Sequence, residues 1–264
     1  MYKRQLLGIY EHHAAPVIAA LLAHRDIRRL TDDERYRLAV FVAVQRARTF
    51  GELERISGMI SVLTDKMEAI GSTKEQAMET LGLSSGGDTK DIFLRQLVQQ
   101  VSHIDLLLKK DWYLLETRPE RPFYVSDNPV VLKNSNDFGP YGNLGLAVRG
   151  IQIYLPLSST LMLAMYCPSI REQMVRQKQH LQHLLARAPH LIPRHIRPFE
   201  RLEHIRRYTD YLLMPLTPEH VTHYNSLQVE FAEQYVFCGE KDFSLVERML
   251  ADSERYRTGP RITF

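Results

Sequence analysis

Apolar residues recur at helical spacing from the start of the chain. Leu7, Ala14, Ile18, Leu21 and Leu22 share one face across residues 5–24, which predicts an amphipathic helix. Pro16 interrupts the run and is expected to kink it. The pattern restarts at Thr31-Asp32-Asp33-Glu34. This is a capping box, in which the threonine side chain accepts from the third helical amide while the glutamate reaches back to the cap. The helix it opens is expected to reach about Arg55, with a break near Gly58. After a loop at 84–89, a further helix is expected over about 90–109.

The period then shortens. Segments 112–117, 122–126, 150–156 and 160–166 are short β-rich runs between turn residues, and they predict an antiparallel sheet of about four strands. Segment 133–146 reads as a long polar loop. Helical character returns over 168–187, and three prolines mark 188–199 as irregular. Thr217-Pro218-Glu219 supplies a cap, a proline at the first helical position and an acid in the first turn, so a helix to about Val236 is expected. The predicted class is α+β, mainly helical, as a single domain over 1–264. Helices occupy 5–109, strands 112–166 and helices again 168–250.

Polar residues that fall on the apolar stripes change this picture. At 100° per residue, Glu11 lies on the predicted inner face of the first helix, four residues after Leu7 and three before Ala14. On the second helix Gln45 is central to the apolar face, Thr49 shares that face, and Arg48 lies at its edge. On the late helix Asn225 and Gln228 point inward. The stretch Phe123-Tyr124-Val125-Ser126-Asp127-Asn128-Pro129-Val130 breaks a β-rich run with four turn-forming residues. Burying neutral polar groups unpaired costs roughly 1–3 kcal/mol each, so a shared cluster of Glu11, Gln45, Arg48, Asp127, Asn128 and Asn225 is expected. Plainer readings stand beside it. The Ser126–Pro129 segment reads equally as an Asx-type turn with Asp127 capping backbone amides. Glu11 and Arg48 read as a buried ion pair, and the three amides as partners for loop backbone.

Composition narrows the function classes. A hydrophobic fraction of 44% with 25% charged residues suits a globular chain. The net charge of +3 implies no polyanion partner by itself, but 171–207 holds nine Lys/Arg against three glutamates, and five of the eleven histidines. Arg194, Arg197 and Arg201 in this stretch are the candidate nucleic-acid contacts, against the alternative of a solvated face. Two distant cysteines, Cys167 and Cys238, write no disulfide framework or zinc site and suit a reducing, cytoplasmic setting. No apolar run reaches the roughly 18 residues of a membrane span. The N-terminus is a poor signal peptide, since Glu11 and two histidines follow its basic residues. His180/His183 and His220/His223 have ligand-like spacing without a completing cysteine or carboxylate. No phosphate-binding glycine loop, nucleophile elbow or zincin motif is present.

The stretch PFYVSDNPVVL, preceded by DWYLLET and followed by IYLPLSSTLML, resembles the core of domain of unknown function family 4238. The segments around Gln45-Arg46-Ala47-Arg48-Thr49, Glu11 and Asn225 fit the same pattern, so the resemblance covers about 7–238. Members of that family usually begin with a segment bearing a histidine and a Pro-Gln pair. This chain lacks it, so a late start or a reduced branch is expected.

Two functions follow as expectations. In the first, Glu11 and Asp127 hold Mg²⁺ or Mn²⁺ in a phosphodiester hydrolase, Gln45 and Asn128 orient water or substrate, and Arg48 neutralises a phosphate oxygen. Ser126, Asn225 and Gln228 support the site. In the second, the polar cluster is a structural network in a non-catalytic binding module. Its basic segment then engages nucleic acid or a protein.

Overall fold

The Thr31 capping box forms as its residues dictate. Glu34 N donates to Thr31 Oγ1 at 3.3 Å, and Thr31 N donates to Glu34 Oε2 at 2.9 Å. In this computed structural model, which describes residues 2–80, 104–136, 144–193 and 197–257, that cap opens α2 (Asp32–Ala47). It follows α1 (Tyr2–His24), which runs through Pro16 without interruption. Ala14, Val17 and Leu21 of α1 are buried, and Leu21 and Val17 pack with Leu38 and Val42 of α2 in one core. The expected helix to Arg55 ends early, at the Arg48–Thr49 junction. There the Thr49 hydroxyl bonds back to Arg46 O at 3.3 Å, a local alternative to the helical ladder. A new helix, α3 (Phe50–Ala69), then runs straight through Gly58. The helices α4 (Lys74–Thr80) and α5 (Ile104–Leu108) follow. Most of the expected 90–109 helix lies outside the described residues.

The strands are β1 (Asp111–Glu116), β2 (Val125–Ser126), β3 (Val131–Asn134), β4 (Ile151–Pro156) and β5 (Leu161–Tyr166). After them come α6 (Pro168–Arg187), α7 (Pro198–Thr209), β6 (Met214–Pro215), α8 (Pro218–Glu230), β7 (Val236–Phe237) and α9 (Ser244–Asp252). The α+β class, mainly helical, is what the periodicity predicts. Sheet membership differs in detail. The main sheet has five strands in the order β3-β4-β5-β1-β6, antiparallel except for β6, which runs parallel to β1 through Leu115↔Met214. Lys133 and Asn134, expected to open the 133–146 loop, instead end an edge strand, Val131–Asn134, paired with β4, and 137–143 of that loop lie outside the described residues. The expected strand at 122–126 leaves this sheet, and its last two residues pair with β7 instead.

Both faces of the sheet are covered. Trp112, Leu114, Ile153, Leu163 and Met165 meet α1 and α2 on one side. On the other, Tyr113, Tyr154, Met162 and Tyr166 meet Val221, Tyr224 and Leu227 of α8. All six residues of β5 are buried, which is why its sequence is a continuous apolar run without alternation. Among the described residues, no helix is long and apolar enough to cross a membrane.

Candidate functional site

The polar break in the 123–132 stretch is explained by α8. Thr217 accepts from His220 N, and Pro218 fills the first helical position. The helix this opens presents Asn225 and Gln228 toward the extended segment 122–129. Asn225 Oδ1 accepts from Tyr124 N at 2.9 Å, and its Nδ2 donates to Pro122 O at 3.0 Å. One turn on, Gln228 Oε1 accepts from Ser126 N at 2.9 Å, and its Nε2 donates to Pro129 O at 3.1 Å. The Ser126 hydroxyl lies 3.0 Å from Gln228 Oε1 and 2.9 Å from Asn128 O, and donates to one or the other. The spacing fits. Three residues of helix rise about 4.5 Å, and the two amides lie two strand residues, about 6.6 Å, apart. The glutamine's extra carbon-carbon bond helps to span the difference. Two side-chain amides thus do the work of a neighbouring strand.

Asp127 and Asn128 fasten the other end. Asp127 Oδ1 accepts from Glu233 N at 2.9 Å, and Oδ2 accepts from Gln234 N at 2.8 Å and Tyr235 N at 3.2 Å. Asp127 N in turn donates to Tyr235 O at 3.1 Å. Asn128 Nδ2 donates to Phe231 O, the C-cap of α8. The helix expected to reach Val236 therefore stops at Glu230. The chain turns there, over a carboxylate that collects three consecutive amides.

Glu11 and Arg48 do meet, with Arg48 Nη1 donating to Glu11 Oε1 at 2.6 Å. The pair is not buried: the two side chains are 48% and 37% exposed. Glu11 continues the apolar stripe of α1, as its phase predicts. Arg48 is the C-cap of α2, however, so the pair sits at the end of that helix, where both side chains keep contact with water. Gln45 is buried at 4% exposure. Among the described residues no hydrogen bond joins Glu11, Gln45 or Arg48 to the Asp127 loop. The two halves of the chain nonetheless come close, because a Cβ on Gly51 of α3 would lie 1.9 Å from Glu233 Oε1. The eight sequence-derived residues thus separate into an interior clamp and a surface ion pair, with Gln45 buried between apolar neighbours in α2. Among the described residues, no group of three or more His, Cys, Asp or Glu is placed to hold a metal ion.

The basic segment forms a hairpin of α6 packed on α7. No residue of α6 is buried, and only Ile205 of α7 is. Several cations serve the fold. Arg171 donates to Thr209 O and lies over the Tyr211 ring, Arg207 donates to Leu213 O, and Arg206 pairs with Glu203. Arg197 pairs with Glu200, and Arg201 ties the helices by donating to Gln177 at 2.8 Å. Arg176, Lys178 and Arg187 form no ion pair among the described residues. Burial, then the nearby Arg201 charge, holds His204 below its usual value, so it adds no charge to this face at neutral pH. Arg194 lies outside the described residues.

The family described as "Protein of unknown function (DUF4238)" matches residues 5–242, nearly the whole chain. The chain belongs to DUF4238. No curated protein and no solved structure matches it. The DUF4238 match takes in the clamp, the strands around it and most of the α1–α2 hairpin.

Sequence reasoning passed over one contact, the Ser169 hydroxyl donating to Cys167 Sγ at 3.2 Å. The signal was present in Cys167-Pro168-Ser169, a helix start with sulfur at the cap.

Proposed function

We propose that the protein is a non-catalytic binding module that holds nucleic-acid phosphates on the outer face of the α6–α7 hairpin. The observation that carries the reading is the hydrogen bonding of Asp127, whose two oxygens are taken up by three backbone amides of its own chain. A metal-binding carboxylate needs oxygen lone pairs directed at the ion. Here they are directed at the loop after α8. The neighbouring amides are engaged in the same way, so the cluster supports architecture in preference to hydrolysis.

Charge distribution supports the choice of partner. Nine cations against three glutamates in 171–207 give +6, so the remainder of the +3 chain carries −3. Arg176, Arg187, Arg197 and Arg201 are exposed on this hairpin, with Lys178 half-buried beside them. Each phosphate neutralised releases condensed counterions, so binding should weaken steeply with salt.

The test is a titration of a fluorescent oligonucleotide across a salt series. Binding at low salt is expected, and changing Arg187 or Arg197 to Gln should each flatten the slope by about one unit, independently of base sequence. No binding at low salt would sink the nucleic-acid reading. A rise in melting temperature with Mg²⁺ or Mn²⁺ that Asp127→Asn removes would overturn the non-catalytic part, because a ligand binding only the folded state stabilises it.

A further inference from the structure

Three buried side-chain atoms, Asp111 Oδ2, Tyr113 Oη and Arg171 Nε, have no hydrogen-bond partner among the described residues. They come from two elements and gather at a third. Asp111 and Tyr113 lie two apart on β1, so both face the side of the sheet that Tyr113 shares with α8. Arg171 is in the first turn of α6. The common neighbour is Tyr211, in the turn between α7 and β6. Its hydroxyl donates to Asp111 Oδ1 at 2.7 Å, and its ring stacks on Tyr113 with centroids 5.5 Å apart. The Arg171 guanidinium carbon lies 5.3 Å from the Tyr211 centroid.

The backbone is strained to put Tyr211 there. Asp210 is the C-cap of α7, and Leu212 N donates back to Arg207 O at 2.9 Å. This helix ending sets Tyr211 in the left-handed region at φ 53°. Glycine takes that conformation freely, and a side chain strains it. The hydrogen bond to Asp111 and the two ring contacts are what tyrosine provides and glycine lacks. The three unpartnered atoms are also complementary. Asp111 Oδ2 accepts, Arg171 Nε donates, and the Tyr113 hydroxyl does either. Burial, then Asp111 and Tyr211, push the Tyr113 phenol up, so it keeps its proton. Tyr113 is only 1% exposed, and leaving such a group without a partner is costly. Buried waters typically make about three hydrogen bonds to groups of this kind.

We propose that Asp111, Tyr113 and Arg171 form a binding site for one buried water molecule, which latches the base of the α6–α7 hairpin to the sheet. The water donates to Asp111 Oδ2 and accepts from Arg171 Nε and the Tyr113 hydroxyl, and Tyr211 walls the site. The latch matters because the hairpin has few buried side chains to hold it. No residue of α6 is buried, and only Ile205 of α7 is. Arg171 Nη2 donates to Thr209 O at 3.3 Å, so the same side chain ties the two helices together where they meet the sheet.

The test uses variants of the full chain. Tyr113→Phe deletes one hydroxyl and keeps the ring. Loss of a stranded hydroxyl would raise the urea midpoint. Loss of one bonded to water should lower it, by about 0.5 M at unchanged m-value. Tyr211→Gly relieves the backbone and would stabilise the chain if Tyr211 served only as a helix ending. It should instead lower the midpoint, and speed hydrogen exchange in α7 and the first turns of α6 more than in β4 and β5. A crystal structure should show one ordered oxygen within about 3.2 Å of all three atoms. A midpoint raised by Tyr113→Phe would overturn the proposal. So would stabilisation by Tyr211→Gly, or a crystal structure with no oxygen between the three atoms.

Discussion

Gln228 is fully buried, and it holds both a donor and an acceptor of the segment it faces. Replacing it by leucine keeps the bulk but strands the Ser126 amide and the Pro129 carbonyl. Each stranded group costs roughly 1–3 kcal/mol. Gln228→Leu should therefore lose about 2 kcal/mol or more, read as a lower urea midpoint at unchanged m-value. Arg48 makes the contrast. A buried pair with Glu11 would cost about 3–5 kcal/mol on losing one partner, but this pair is more than a third exposed on both sides. Arg48→Ala should cost less than about 1 kcal/mol, and adding Glu11→Ala should change little more. A large loss in the single variant, recovered in the double, would mean that the pair is buried in solution.

At the scale of elements, α2 owes its start to a local device with a pH signature. Hydrogen bonds from the Thr31 amide and hydroxyl hold the Glu34 carboxyl below its usual value. A carboxyl depressed in the folded state stabilises the fold above its unfolded pKa of about 4.3, and that contribution fades as pH falls through the folded value. Glu34→Gln should accordingly lower the melting temperature near pH 7, with the gap to the parent closing toward pH 3. A gap that persists in acid would show that the carboxylate charge is not what the cap uses. The segment at 122–126 is the opposite kind of element. Nothing in its own residues separates a central strand from an extended stretch held by helix side chains. The choice lies with Asn225 and Gln228, about a hundred residues away.

Across the whole molecule, the two faces of the sheet differ in chemistry. The α1–α2 side is aliphatic around one tryptophan. The α8 side gathers tyrosines, with Tyr113, Tyr154, Tyr166, Tyr208, Tyr211 and Tyr224 linked by ring contacts of 4.8–6.1 Å. Burial pushes Tyr154 and Tyr166 well above the usual phenol range and Tyr208 up to about 12. The sign follows from linkage. Below about pH 10 both states keep their phenolic protons, and the stabilisation is complete. Above it the unfolded chain releases protons that the folded chain retains, so stability falls as pH rises toward about 12. An ultraviolet titration should show this tyrosine group ionising together with loss of circular dichroism, while all thirteen titrate near pH 10 in denaturant. Smooth ionisation of every tyrosine near pH 10 with the fold intact would contradict the packed cluster.

The sequence by itself determined what depends on neighbours along the chain. The caps at Thr31 and Thr217 are readable because donor and acceptor lie three residues apart. The inward amides Gln45, Asn225 and Gln228 are readable because helical phase is a local quantity. The covered strand β5 is readable from its unbroken apolar run. Family membership was legible in the same way, from residues around Ser126-Asp127-Asn128-Pro129. Tertiary structure alone decided where covering elements end and which distant backbone a polar side chain meets. Phase put Glu11 on the apolar stripe, but its place opposite the C-cap of α2 left the side chain 48% exposed. The Ser126–Pro129 motif offered Asp127 as a metal ligand or a cap, and the turn after α8 supplied three amides to it.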